Sequence, residues 1–226
     1  AIELAERLAH NAPGDLNRVF FTTGGGEAVE TAWKLAKQFF KLTGKPTKHK
    51  VISRAVAYHS TPQGALSITG IPAAKVDFEP LVPGFVRVPF ADEHAVRQAA
   101  DANPNIVAVL VEVLQGEGGI KVASAEYMRA LRRICDEQQW LLMIDEVQSG
   151  IGRTGKWFGF QYAGIRPDVI TLAKGLGSGV PIGACVAAGR AQGVFKPGSH
   201  GSTFGGGPLA CAAGLATLAA MEDEKL

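Results

Sequence analysis

Ile106-Val107-Ala108-Val109-Leu110-Val111, and further on Leu141-Leu142-Met143-Ile144 running into Asp145-Glu146, are the two stretches that decide the fold. Neither run has a polar face, so both must be covered on two sides, as strands inside a parallel sheet are. Working outward, Arg18-Val19-Phe20-Phe21-Thr22, Lys50 to Ala57, Phe85 to Val88, Trp140 to Ile144 and Val169 to Ala173 read as further strands, with Ile182 to Ala188 a weaker one. Between them the apolar period changes. Ala28, Ala32, Leu35, Ala36, Phe39 and Phe40 share one helical face, which Gly44 and Pro46 bring to an end. Ser124 to Gln138 and the Ala-rich Pro208 to Glu222 are two more helices. Strand–helix alternation with fully apolar strands predicts an α/β fold, a mainly parallel sheet with helices on both faces. No repeat or low-complexity linker divides residues 1–226, so one domain is expected.

The composition excludes several classes. Of the 226 residues 46% are hydrophobic and 19% charged, and the net charge is +2, with no basic run suited to nucleic acid or a membrane surface. No apolar stretch reaches membrane-spanning length. Cys135, Cys185 and Cys211 are widely spaced and odd in number, which points to reduced thiols in a cytosolic protein rather than a disulfide framework. The acidic, amphipathic start Ala1-Ile2-Glu3-Leu4-Ala5-Glu6 is unlike a targeting peptide and begins mid-pattern without Met, so an upstream segment is expected.

In open α/β sheets ligands sit beyond the carboxyl ends of the strands. Asp145 stands at one such end and could be a loop cap or a functional acid; a triphosphatase role needs a GxxxxGK[ST] loop, and Gly44-Lys45 lacks its earlier Gly. Lys174 follows Val169-Ile170-Thr171-Leu172-Ala173 and precedes Gly175-Leu176-Gly177-Ser178-Gly179. A lysine there either snorkels to solvent or is buried, and burial would disfavour its ammonium form and make the amine nucleophilic. Gly24-Gly25-Gly26-Glu27 joins the first strand to a helix and is either a tight turn or a phosphate cradle of backbone N–H groups; Val29 breaks the dinucleotide pattern. Tyr58, in Tyr58-His59 after the second strand, could stack on a planar ring or pack on the next helix. Cys and His spacing gives no zinc pattern, and there is no GxSxG elbow. Together a cradle, an aromatic, a carboxylate and a lysine form the set that pyridoxal phosphate requires.

Val111-Glu112, Gln115-Gly116-Glu117-Gly118-Gly119, Asp145-Glu146-Val147-Gln148, Gly152-Arg153-Thr154-Gly155-Lys156, Ala173-Lys174 and His200-Gly201-Ser202-Thr203-Phe204-Gly205-Gly206 follow one another in this order. On these motifs Phe21 to Leu226 resemble the class III aminotransferases, the fold-type I group of acetylornithine, ornithine, 4-aminobutyrate and diamine aminotransferases. The resemblance implies a pyridoxal 5'-phosphate enzyme that moves the terminal amino group of an ω-amine donor to a 2-oxoacid such as 2-oxoglutarate or pyruvate. It implies that Lys174 carries the cofactor covalently and moves the reacting proton, and that Asp145 keeps the pyridine nitrogen protonated. Gln148 would contact the ring hydroxyl, Gly24, Gly25 and Gly26 the phosphate, and Tyr58 the ring face, with Glu112 nearby. Glu117 matches a glutamate that gates an active-site arginine. Thr203 matches a threonine that reaches the neighbouring subunit's phosphate, which implies a homodimer with shared sites.

The chain departs from the family in places. Glu112-Val113 stands for Glu-Pro, Gly205-Gly206-Gly207-Pro208 for Gly-Gly-Asn-Pro, and Thr61 for the arginine that binds a donor α-carboxylate in acetylornithine-type enzymes. The family's N-terminal segment and small C-terminal domain are expected to lie outside these residues. Up to about Gly70 the style is closer to the diamine branch, and from about Phe78 to the acetylornithine branch, which suggests a seam. The rivals are an aminomutase or racemase on the same scaffold, and an inactive fragment that binds cofactor.

Overall fold

An all-apolar strand is stable only if both of its faces are taken out of water, and the computed structural model, which describes residues 1–226, does this with two separate layers of helix. In chain order the strands are β1 (Arg18–Thr22), β2 (Lys50–Arg54), β3 (Phe85–Val88), β4 (Ile106–Glu112), β5 (Leu114–Gln115), β6 (Lys121–Val122), β7 (Leu141–Asp145), β8 (Val169–Leu172) and β9 (Gly183–Ala187). The helices are α1 (Ile2–Asn11), α2 (Gly25–Leu42), α3 (Gln63–Ile68), α4 (Glu93–Ala102), α5 (Ala125–Glu137) and α6 (Pro208–Asp223). Seven strands form the main sheet in the order β1-β9-β8-β7-β4-β2-β3. β9 runs antiparallel to both its neighbours, and the pairs among β3, β2, β4, β7 and β8 are all parallel. The expected mainly parallel α/β sheet is therefore present.

Side chains along β4 divide between the layers and alternate strictly from Ala108 onward, past a register shift against β2. Ile106, Val109 and Val111 join the cluster built with α1, α4, α5 and α6, whereas Val107 and Leu110 join the cluster built with α2 and α3. Next to it, Leu142 and Ile144 of β7 go to the first cluster and Leu141 and Met143 to the second. Burying each such side chain stabilises the fold by roughly 1.5–3 kcal/mol. Local chemistry sets the helix starts. Ser124 accepts the Tyr127 N–H (3.2 Å) at the start of α5, and Asp92 accepts the Ala95 N–H (2.9 Å) at the start of α4.

Several elements differ from expectation. The strand expected over Lys50 to Ala57 stops at Arg54, because Val56 turns the chain at φ +61° and Gly70 packs directly on the Arg54 carbonyl. Arg54 itself is buried, its guanidinium 4.8 Å from the Phe90 ring centroid, and it donates to the Glu112 carbonyl. The helix α4 and the β5–β6 hairpin were not anticipated. Cys135, Cys185 and Cys211 are unpaired and buried, and burial pushes the Cys135 and Cys185 thiols up to about 12, which makes them inert packing groups. No helix is long and apolar enough to cross a membrane.

Two-sided burial of β4 sets a measurable cost. Leu110→Ala, at a fully buried position, is expected to lower the unfolding free energy by about 2–5 kcal/mol. Leu42→Ala, 65% exposed at the end of α2, should change it by less than about 0.5 kcal/mol. Urea titrations of both variants check this, and equal costs would contradict the layered core.

Candidate active site

The register of the parallel ladders places Glu112 beside Asp145 and Asp145 beside Thr171, in one row across the ends of β4, β7 and β8. Side chains in register share a sheet face, so the row brings two carboxyls and a hydroxyl together. Asp145 Oδ1 accepts from Thr171 Oγ1 (3.0 Å) and from the Val147 N–H (3.1 Å), and Oδ2 accepts from His59 Nδ1 (2.8 Å). These three donors fix the carboxylate's orientation. A carboxylate oxygen can accept more than one hydrogen bond, so Oδ2 retains capacity for a further donor at the wall of the cavity.

Glu112 has fewer partners. Its Oε1 accepts only the Tyr58 N–H (3.1 Å), and burial pushes its carboxyl up to about 7, with the neighbouring Asp145 adding to the rise. His59, the Tyr58 N–H and Arg54 pull the other way without cancelling it.

The cavity at these strand ends has a volume of about 350 Å³ and draws its walls from the segments that follow β1, β2, β4, β7 and β8. Gly24, Gly25, Gly26, Tyr58, Glu112, Asp145, Gln148 and Lys174 all line it. The glycines do different things. A Cβ on Gly24 would point into open space, whereas one on Gly25 would lie 2.9 Å from a Val147 methyl and one on Gly26 2.7 Å from Pro62. Gly25 and Gly26 thus let the start of α2 press against the turns after β7 and β2. The N–H groups of Gly25, Gly26 and Glu27 belong to the first turn of α2 and have no intrahelical acceptor, which makes this end of the helix suited to an anion. The Gln148 amide lies against Gly116, so closely that any side chain there would displace it.

Lys174 lines the cavity, and of its two alternatives the solvent-reaching one holds, because its side chain is exposed. β8 ends at Leu172, and at φ +42° Lys174 opens a short turn that carries it out of the sheet toward the open cavity. Two other residues stand apart. Glu117 and Thr203 are exposed and do not line this cavity. Around the row stand residues to which the sequence assigned no role. His59 carries no local signal beyond being Tyr58's neighbour, and its partnership with Asp145 joins positions that are 86 residues apart. Glu146 is buried on the other side of β7 and accepts from Ser149 Oγ (2.7 Å) and the N–H groups of Gly159 (2.9 Å) and Phe160 (2.8 Å), stapling the segment after β7. Three side chains of unlike chemistry, a carboxylate held by three donors, a lysine and an aromatic, therefore meet an anion-seeking helix end at one cavity.

A family model described as aminotransferase class-III matches residues 1–226. The chain belongs to the class-III aminotransferases. Acetylornithine aminotransferase 1 of Bordetella parapertussis is 53% identical over 223 residues, which are 99% of this chain and 56% of that protein. Acetylornithine aminotransferase of Nitrosomonas europaea is 51% identical over 229 residues, covering 100% of this chain and 58% of its own. Among solved structures, an (S)-enantioselective omega-transaminase from Thermomicrobium roseum matches with a TM-score of 0.95 at 35% identity, over 99% of this chain and 55% of that one. The ornithine aminotransferase of Toxoplasma gondii, described with partial occupancy of PLP at its active site, matches with a TM-score of 0.92 at 34% identity, over 99% and 53%. This class-III aminotransferase chain thus spans a little over half the length of the relatives it matches.

The Glu112 carboxyl gives the cofactor-free chain a specific pH dependence. A carboxyl whose pKa rises from 4.5 to about 7 on folding stabilises the fold below its unfolded value and loses that contribution as pH rises through about 7. Its full size is on the order of 3 kcal/mol at one pKa unit per 1.36 kcal/mol. Glu112→Gln keeps the acceptor for the Tyr58 N–H and cannot ionise. Urea stability is therefore expected to fall between pH 5 and pH 8 by roughly this much more in the parent chain than in the variant; parallel curves would show that Glu112 is not the group that titrates.

Proposed function

We propose that residues 1–226 are the cofactor-binding large domain of a pyridoxal-phosphate aminotransferase, and that it moves the terminal amino group of an amine donor to a 2-oxoacid. The observation that carries this is the convergence of Lys174, Asp145 and the first turn of α2 on one cavity. The residues present fit the cofactor. Asp145 Oδ2 has acceptor capacity for a ring N–H, the first-turn N–H groups of α2 suit a phosphate, and Gly24 leaves the space beside them open. Tyr58 supplies the ring-stacking face, Gln148 the partner for the ring hydroxyl, and Lys174 the amine that bonds to the cofactor's carbonyl carbon.

When bound, the cofactor supplies an electron sink and a carbonyl carbon that can exchange an amino group. The chain's own residues do the rest. Asp145, oriented by His59, Thr171 and the Val147 N–H, would hold the proton on the ring nitrogen. Lys174 Nζ, released once the donor's amine replaces it on the cofactor, would take the proton from the donor carbon and give it up to the carbon that receives the amino group. Thr203, exposed on the loop before α6, is assigned to the phosphate site of a second copy, so the working unit is a homodimer. Glu117, exposed beside the β5–β6 turn, is assigned to gating an arginine outside these residues.

The second reading is that these residues bind the cofactor without turning over. Donor choice separates the possibilities. Thr61 is exposed and cannot replace the charge of a carboxylate-binding arginine. Although the curated relatives carry the acetylornithine name, putrescine is expected to bleach the bound cofactor's visible band faster than N-acetylornithine by on the order of tenfold or more. Restoration of the band by 2-oxoglutarate would complete the transfer and distinguish it from mutase or racemase chemistry, which needs no oxoacid. Faster bleaching by N-acetylornithine would place the α-carboxylate anchor on another residue, and a band that responds to neither donor would support cofactor binding alone.

A further inference from the structure

The segment between β9 and α6 carries Thr203, and it is fastened to β1 and α2 by contacts that none of the roles above explain. The His200 ring stacks on Phe195 (centroids 4.9 Å apart, planes at 26°) and leans on Phe20 (4.7 Å, 38°). Its Nε2 lies 2.9 Å from Thr31 Oγ1, and its Nδ1 2.9 Å from Lys34 Nζ. Two residues on, Ser202 Oγ donates to Glu27 Oε2 (3.1 Å), the same oxygen that accepts the Thr23 N–H (2.9 Å). Gly205 then passes so close to the Phe21 carbonyl that a side chain would not fit. Thr203 and Phe204, between these anchors, are exposed.

The hydrogen bonds fix the chemical form of His200. Thr31 spends its hydroxyl proton on the Glu27 carbonyl (2.7 Å), so toward His200 it can only accept, and Nε2 must carry a hydrogen. The Lys34 ammonium has donors only, so Nδ1 must offer a lone pair. Both demands are met by one species, the neutral Nε2–H tautomer.

We propose that His200 in this tautomer is a positioning residue that clasps the Thr203 segment to the first turns of α2. The clasp makes the glycine cradle and Thr203 one rigid unit, the cradle serving its own cofactor phosphate and Thr203 that of a second copy. Its functional half rests on the shared-site reading given above. Through Glu27 the two parts are joined directly, since one carboxylate oxygen holds both Thr23, which precedes the cradle, and Ser202, which precedes Thr203. The charged groups facing His200 are Lys34 and Glu27, both from α2, and β1 presents only the Phe20 ring. Protonation at Nδ1 would set an N–H against the Lys34 ammonium. Burial and Lys34 hold the imidazole below its ordinary value, and Glu27 opposes them in part. The neutral clasp is therefore whole above about 6.5 and is lost as pH falls through the lowered value.

The test uses the chain with bound pyridoxal 5'-phosphate. Amide hydrogen exchange of Ser199 and Gly207, which donate to the Lys196 (2.9 Å) and Phe204 (3.1 Å) carbonyls at the two ends of the segment, is corrected for intrinsic rates and compared at pH 7.5 and pH 5.5 for the parent and for His200→Gln. Glutamine can still donate to Thr31 but does not titrate. Protection in the parent is expected to fall on the order of tenfold in acid, the value of about one lost hydrogen bond, while that of the variant stays level. The same pH profile in both would overturn the clasp. Affinity for pyridoxal 5'-phosphate separates this from the shared site. Thr203→Ala should weaken it, and His200→Ala should weaken it with no further loss in the double variant. A loss with Thr203→Ala alone would overturn the positioning role and leave the shared site standing. No loss with Thr203→Ala would refute the shared site and the role given to Thr203, and the exchange comparison would still decide the clasp.

Discussion

The register of β4, β7 and β8 sets the acidic row on which the rest of the site is built. Parallel strands in register bring equivalent positions side by side on one face, so the ladder that pairs Val111 with Ile144 must also pair Glu112 with Asp145, and the next one pairs Asp145 with Thr171. A slip of one residue would turn the acids into the opposite helix layer and expose apolar side chains in their place. Core burial therefore holds the register, and the register holds the chemistry. Asp145 is not positioned by its own short side chain alone. It is positioned by the two strands that flank its own, and then locked by His59 from the segment after β2.

Two neighbouring carboxyls at a strand end would repel if both were charged, and their surroundings resolve the conflict. Asp145 receives three hydrogen bonds, whereas Glu112 receives one, from the Tyr58 N–H, in a buried setting that keeps its proton until about 7. The same Tyr58 contact ties the segment after β2 to β4. Across the cavity, the close packing of Gly25 on Val147 ties the start of α2 to the turn that follows Asp145. The anion-seeking helix end, the aromatic and the carboxylate are thus fixed relative to one another through backbone and short side chains, which is the rigidity that a site for a planar, charged cofactor needs.

Local patterns carried much of this in the sequence. The all-apolar runs at Ile106 and Leu141 identified the buried strands, and the residues just past the strands, Asp145, Lys174 and the Gly24-Gly25-Gly26 cluster, proved to line one cavity. What was hidden depends on distance along the chain or on fine geometry. The bonds of His59 to Asp145 and of His200 to Thr31 and Lys34 join segments 86 to 169 residues apart, and no periodicity reports them. The exposure of Lys174 follows from a left-handed turn at a non-glycine residue, which composition does not announce. The helix α4 was missed because only Val96 and Ala99 are buried on an otherwise polar segment, although its cap, Asp92, was in plain view. Thr203 and Glu117 lie outside the cavity, so the roles assigned to them depend on groups beyond these residues.

On the proposed reading one particular lysine, Lys174, faces the Asp145 row and the helix end as the amine that bonds to the cofactor. The most direct measurement is borohydride reduction of the chain in the presence of pyridoxal 5'-phosphate, followed by peptide mapping of the fixed adduct. The adduct is expected on Lys174, with none formed by Lys174→Ala. An adduct on another lysine, or no stable adduct in a folded chain, would contradict the account.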